Sequence, residues 1–221
     1  MSNDAVKRRY DNAGRAARAA ANRAAVLRAG HDVLIEKGYG GATMAAIARA
    51  AGVSVETVYK GFGSKIELVG QILDQAVAGD DEPIALIERV DFGRALHAGS
   101  GAEILAEFCT ASCRILERIG PLIGALFVAA RAGEPELRAL AEEAGRRRLA
   151  DFTHVVEAVA AAGDLHPDLD VTEATATLWT VGSPELYLQF RDDLGWSNEH
   201  YRSWLTRSTR ALLLADAQPH G

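Results

Sequence analysis

A chain of 221 residues, 48% of them hydrophobic, can bury a core without disulfide or metal staples, as one compact domain or two small ones. Its two cysteines, Cys109 and Cys113, form no metal-type CxxC pair, which excludes a disulfide-framed secreted scaffold and points to a reducing cytoplasm. The formal net charge of −6 speaks against nucleic acid as a partner of the whole chain, yet residues 1–78 hold 11 Lys and Arg against 7 Asp and Glu, and residues 79–221 hold 13 against 23.

A basic module therefore precedes an acidic one, as expected if only the first approaches phosphates, although ordinary surface charge produces an excess of that size too. Residues 1–20 are polar and Arg-rich, so no signal peptide is expected, and no run of eighteen apolar residues is present to span a membrane. Prolines are few, alanine and leucine abundant, and no alternating pattern with hairpin turns occurs. The expected fold is all-α.

In chain order, a basic arm with Lys7, Arg8, Arg9, Arg15 and Arg18 leads into a first helix over about 17–37. The arm is either a set of minor-groove or phosphate contacts or a solvated tail. Val26, Leu27, Gly30, Val33 and Leu34 form the helix's apolar stripe, and Gly30 in mid-helix implies that another helix crosses closely there. Gly38 supplies a left-handed stop.

From Thr43 to Lys65 the local signals agree on short helices with tight joints. Thr43 caps Met44 to Ala51, with Ile47, Ala48 and Ala51 inward. Gly52 makes the turn, Val53 plugs it, and Ser54 caps a second helix from Val55 to about Lys60. Val58 and Phe62, four residues apart, anchor that helix, leaving Val55, Glu56, Thr57, Tyr59 and Lys60 outward with hydroxyls and an ammonium for phosphates and base edges. Ser64 to Glu67 reads as a capping box opening a further helix with Leu68 and Ile72 inward. The exposed N–H groups at its start, with Lys65, would clamp a phosphate. The spacing is that of a helix-turn-helix, whose second helix enters the major groove; a motif of this kind that packs protein would share the caps and anchors but would not require the outward polar set.

The run GYGGATMAAIARAAGVSVETVYKGFGSKIEL, residues 38–68, resembles the DNA-binding signature of the TetR/AcrR family of bacterial transcriptional regulators. The likeness rests on Gly38, Thr43, Ile47-Ala48, Ala51-Gly52-Val53-Ser54, Thr57-Val58-Tyr59, Phe62, Ser64-Lys65 and Leu68. It implies phosphate contacts at Thr43, Thr57, Tyr59 and Lys65, base reading by Val55 to Lys60, and Ser54 at the head of that reading helix. Two positions depart from the family pattern: Glu56 replaces a small residue, and Gly61 replaces an aromatic or histidine. An acid at 56 either accepts from cytosine N4 or repels phosphate.

Beyond residue 80, Asp80-Asp81-Glu82-Pro83 breaks the chain. Helical patterns resume at about 84–97, 101–118, 121–132, 134–162, 171–193 and 197–215, separated by Pro121, Gly133, the stretch from Gly163 to Asp170, and Gly195. The resemblance divides the chain into a DNA-binding domain at 1–80 and a larger helical domain at 81–221 that binds a small-molecule effector and makes a homodimer on double-stranded operator DNA. In support, the last two helices carry more apolar surface than a terminal pair needs for itself, Leu186, Tyr187, Phe190, Trp204, Leu205 and Leu212 among it; two copies would form a four-helix bundle.

An effector pocket would draw on Phe108, Cys113, Phe127, His154 and Trp179, although stripes at helical spacing favour an ordinary core position for each. Cys109 and Cys113 are either a redox or metal pair or buried spectators. GxSxG, P-loop, GxGxxG and HExxH motifs are absent, so neither catalysis nor a cofactor is expected. The expected function is a DNA-binding regulator, a repressor released by a small molecule. The alternative is a regulator without such an effector, controlled by a protein partner or its own concentration.

Overall fold

The computed structural model describes residues 3–79, 93 and 99–215, with side chains from Gly14 onward. The helix expected at 84–97 and the side chains of Lys7, Arg8 and Arg9 lie outside the described residues. Nine α-helices occur among those described: α1 Asn3–Gly41, α2 Met44–Ala51, α3 Val55–Phe62, α4 Lys65–Ala78, α5 Gly101–Arg131, α6 Pro135–Ala161, α7 Val171–Val181, α8 Pro184–Leu188 and α9 Asn198–Leu213, with a π-turn at Gln189–Asp193 after α8. The single β pairing among them is one isolated bridge between Leu165 and Leu214. None of the described helices is long and apolar enough to cross a membrane.

Two compact units result: Met1–Gln75 with Ala125–Leu137, and Ala76–Gly124 with Arg138–Gly221. In the first, Val26, Leu27, Val33 and Leu34 of α1 are buried with Ile47 and Ala48 of α2, Val58 and Phe62 of α3, and Leu68, Val69 and Ile72 of α4. A Cβ at Gly30 would stand 2.6 Å from Ile72 Cδ1 and 3.7 Å from Ile47 Cγ2, so the missing side chain is what lets α2 and α4 approach α1. The core of the second unit joins Ile104, Leu105 and Phe108 of α5 to Phe152, Val155 and Val159 of α6, Leu178 of α7, Tyr187 of α8, and Tyr201 and Leu205 of α9. Phe108 meets Phe152 edge-on at 4.8 Å, and Tyr187 meets Tyr201 at 5.1 Å.

Four helix boundaries differ from the sequence reading. The first helix starts at Asn3 rather than near 17 because alanine and arginine at 15–25 continue helix formers upstream, and it carries a break at Gly38 (φ 66°, ψ 176°) with a last turn to Gly41. The reading helix continues through Phe62 before Gly63 (φ 74°) ends it.

Pro121 does not divide α5. Its ring faces solvent, while Leu116, Ile119, Leu122 and Leu126 are buried on either side of it and hold the helix through the missing hydrogen bond. The helix expected at 171–193 is instead three pieces. Gly182 stops α7, Ser183 Oγ accepts from Leu186 N at 3.1 Å, and Pro184 at the first position restarts the chain as α8.

Candidate nucleic-acid interface

The segment that would face DNA is held by its own side chains. Thr43 Oγ1 accepts from Ala46 N at 3.1 Å and starts α2. Gly52 adopts the left-handed conformation (φ 68°, ψ 28°), and its N–H and that of Val53 close the last carbonyls of α2. Ser54 Oγ accepts from Thr57 N at 3.2 Å and lies 3.0 Å from Thr57 Oγ1, so the cap also fixes that hydroxyl. Ser64 and Glu67 form the reciprocal capping box of α4: the Ser64 N–H and hydroxyl donate to Glu67 Oε2 at 2.6 and 2.8 Å, and Glu67 N donates to Ser64 Oγ at 3.3 Å.

Behind α3, Val58 and Phe62 are buried, and the Arg23 guanidinium lies 4.9 Å from the Phe62 ring centroid while donating to Gln71 Oε1. In front, Glu56, Thr57, Tyr59 and Lys60 are exposed, Tyr59 at 54%; Val55 is half-buried. Thr43 and Ser54 are exposed as well. Glu56 is held below the ordinary carboxylate range by its own backbone N–H and then by Ser54, so it stays charged near neutral pH. A Cβ at Gly61 would meet open space, and its backbone is helical.

Lys65 differs from its expected outward course. It is half-buried, with its Nζ donating to the Tyr39 carbonyl and lying 3.7 Å from the Tyr39 ring centroid. Burial lowers its pKa, against Glu134 and Glu136, which raise it. The ammonium braces the end of α1 against the start of α4, a role that needs tertiary contacts and is invisible in the local pattern. Ala51, expected inward, is half-buried.

The five effector-pocket candidates do not form one group. Phe108 and Cys113 are buried in the core of the second unit, and Trp179 is half-buried there. His154 is corrected to the surface: its imidazole is exposed beside Glu157 Oε2 at 3.3 Å, because α6 turns Phe152, Val155 and Val156 inward instead. Phe127 falls in the other unit.

Among the dimer candidates, Tyr187 and Leu205 are likewise corrected. Both are buried inside their own chain, Tyr187 against Tyr201 and with its hydroxyl donating to Asn198 Oδ1 at 2.8 Å. Leu186, Phe190 and Trp204 are half-buried, and Leu212 is 48% exposed. The cysteines are buried spectators as far as their ionisation goes: desolvation pushes Cys109 up to about 11 and Cys113 up to about 12. Among the described residues no cluster of three metal-ligating side chains occurs.

Residue-level reading missed a group around Trp179. The Arg148 guanidinium lies 4.5 Å from its ring centroid and 5.8 Å from that of Phe152. Arg148 Nε, Thr175 Oγ1, Trp179 Nε1 and Tyr201 OH are buried without a hydrogen-bond partner among the described residues. The spacing of Thr175 and Trp179, one helical turn apart, was a signal; Arg148 gave none, since Arg146-Arg147-Arg148 reads as solvated charge. Separately, Thr110, Arg202, Ser203, Thr206 and Arg207 line an open groove between α5 and α9, and none of these was singled out from sequence.

A capped, anchored helix-turn-helix followed by an all-helical unit defines a class of DNA-binding regulators. The family model for bacterial regulatory proteins, tetR family, matches residues 26–72. Residues 26–72 thus carry the similarity to the DNA-binding domain of tetR-family regulators. The solved structures it resembles include NalD, the secondary repressor of the MexAB-OprM multidrug efflux pump in Pseudomonas aeruginosa, at 23% identity and a TM-score of 0.66, covering 90% of this chain and 99% of that one. TylP, a TetR regulator from Streptomyces fradiae, is 19% identical with a TM-score of 0.60, covering 90% and 89%. A protein from Saccharomonospora viridis described as a transcriptional regulator, in complex with choline, is 17% identical with a TM-score of 0.64, covering 87% and 97%. At these identities the likeness establishes the fold. No curated protein sequence matches the chain.

Proposed function

We propose that this protein is a cytoplasmic, homodimeric repressor that binds operator DNA through residues 1–80 and leaves it when a small molecule binds within residues 81–221. The observation that carries the reading is the surface of α3: Thr57, Tyr59 and Lys60 exposed on a helix whose opposite side, Val58 and Phe62, is locked into the core. Such a helix presents hydroxyls and an ammonium in a fixed arrangement, which phosphate positioning and base readout require. Thr43, Ser54 and Glu56 flank it; Val55 contributes its exposed part, and Lys65 acts first as the brace on Tyr39. Glu56, charged and beside this face, accepts from a cytosine amine where the operator offers one and disfavours other bases.

Dimerisation through α8, the π-turn and α9 leaves Leu186, Phe190, Trp204 and Leu212 as the surface to be covered, and places two reading helices on successive major grooves. NalD's role as a repressor and the choline held by the Saccharomonospora protein support the effector-controlled form of the reading. Release follows from a population shift, and linkage makes it reciprocal: an effector that weakens operator binding about a hundredfold itself binds the operator-loaded protein about a hundredfold more weakly.

Selecting bound duplexes from a random pool tests the whole reading, with a two-fold symmetric site expected. Tyr59→Ala should weaken binding to the selected duplex while shifting stability by less than about 0.5 kcal/mol, because the ring is exposed. A protein that retains no duplex at low salt sinks the reading. Calorimetry showing equal effector affinity with and without operator sinks the allosteric part.

A further inference from the structure

Four buried polar atoms of the second unit belong to one neighbourhood. Thr175 and Trp179 share a face of α7, the Arg148 guanidinium stacks on the Trp179 ring at 4.5 Å, and Tyr201 and Arg148 sense each other's charge. Thr175 is 4% exposed and Tyr201 fully buried, yet Thr175 Oγ1, Tyr201 OH, Trp179 Nε1 and Arg148 Nε have no hydrogen-bond partner among the described residues. Leaving several such groups unsatisfied in a core is costly, so they mark a place where specificity is kept at the expense of stability.

Their chemistry points one way. Arg Nε–H and Trp Nε1–H only donate, and both hydroxyls can donate. The described residues give Arg148 no hydrogen-bonded or ion-paired acid; Glu185 acts on it only at a distance. A complementary ligand must bring acceptors and negative charge, and a carboxylate does both, with the fork geometry a guanidinium matches. Around the polar group lie the Trp179 and Phe152 rings, with Phe108 edge-on to Phe152, an apolar setting for the rest of the molecule. The aromatic face that a quaternary ammonium would use is already covered by the Arg148 cation.

We propose that the effector of this protein is an organic carboxylate with an apolar body, its carboxylate received by Arg148, Trp179 Nε1, Tyr201 OH and Thr175 Oγ1. The assignment rests on the effector-controlled reading above and names the ligand class for it.

The test titrates the full-length protein by calorimetry and thermal melting with octanoate and phenylacetate, their amides octanamide and phenylacetamide, and choline. The acids are expected to bind at least about tenfold more tightly than the amides and to raise Tm by about 5–10 °C at a hundredfold excess over Kd, with no shift from choline. Arg148→Gln should weaken the acids about tenfold or more and leave the amides unchanged.

Tyr201→Phe guards against a misfolded Arg148 variant. Removing an unpaired buried hydroxyl should raise Tm of the free protein while weakening the acids about threefold to tenfold. Acids that fail to bind, amides or choline that bind equally well, or acid affinity indifferent to both substitutions would overturn the assignment. Operator retention is measured separately. Acids that bind but do not release operator overturn the effector reading and leave the carboxylate site standing, whereas release by the amides or choline, undiminished in Arg148→Gln, overturns the site and leaves the effector reading.

Discussion

Between Thr43 and Glu67 each helix start is closed by a side chain from its own segment, whereas around Trp179 four buried polar atoms find no partner among the described residues. The first region spends its polar groups on fixing geometry. The second keeps its own unspent. On the function proposed above, the difference separates two ways of binding: a rigid surface offered to a rigid duplex, and an interior that would complete its hydrogen bonds with a guest.

Four measurements test this contrast, in order of falling effect. Phe62→Ala removes a buried ring from behind α3 and should cost about 3–5 kcal/mol, abolishing duplex binding along with it; urea titration reads the first, and duplex retention with stability intact would show that α3 does not depend on its anchor.

The second concerns alkaline stability. Desolvation holds the Cys109 and Cys113 thiols near 11 and 12, above the unfolded value near 9, so the folded chain keeps protons that the unfolded chain has lost. Their contribution is intact below about pH 9 and declines as pH rises toward the folded values, by about 1 kcal/mol for each thiol near pH 10. Iodoacetamide should label neither in the native protein at neutral pH; rapid labelling would place them outside the core.

The third is Lys65→Ala, which should lower stability by about 1 kcal/mol, or Tm by about 2–4 °C, through loss of the Tyr39 brace. An unchanged Tm with a fall of about 0.9 in the salt slope of duplex binding would return Lys65 to the role of a free phosphate contact. The fourth and smallest is Gly61→Ala, with a gain of about 0.5–1 kcal/mol, since the backbone there is helical and a methyl group meets open space.

The same contrast explains what could be read from the residues alone. Thr43, Gly52, Ser54 and the Ser64–Glu67 box act within three or four residues of themselves, so their roles are written in the local order of residue types. Gly30 was legible too, because an unprotected glycine in a strong helix needs a neighbour to justify it. Pro121 misleads, since α5 is carried through it by the burial of Leu116, Ile119, Leu122 and Leu126, which local order alone does not reveal. The pause at Gly182-Ser183-Pro184 was available in the sequence but was outweighed by the apolar run on both sides. Helical spacing tells which residues share a face, not what that face meets, so Tyr187 and Leu205 read as surplus apolar surface although both are buried within the chain. Lys65 and Arg148 are placed by distant chain: Lys65 lies over the Tyr39 ring, and Arg148 lies nearer to the distant Trp179 ring than to Phe152 one turn away.

Pro121 lies exposed within α5, and a proline there leaves the Glu117 carbonyl without its helical N–H. A helix with one missing rung opens there first, so amide hydrogen exchange along α5 should be fastest beside residues 117–121 and slow where Leu105, Phe108 and Cys109 are sealed in the core.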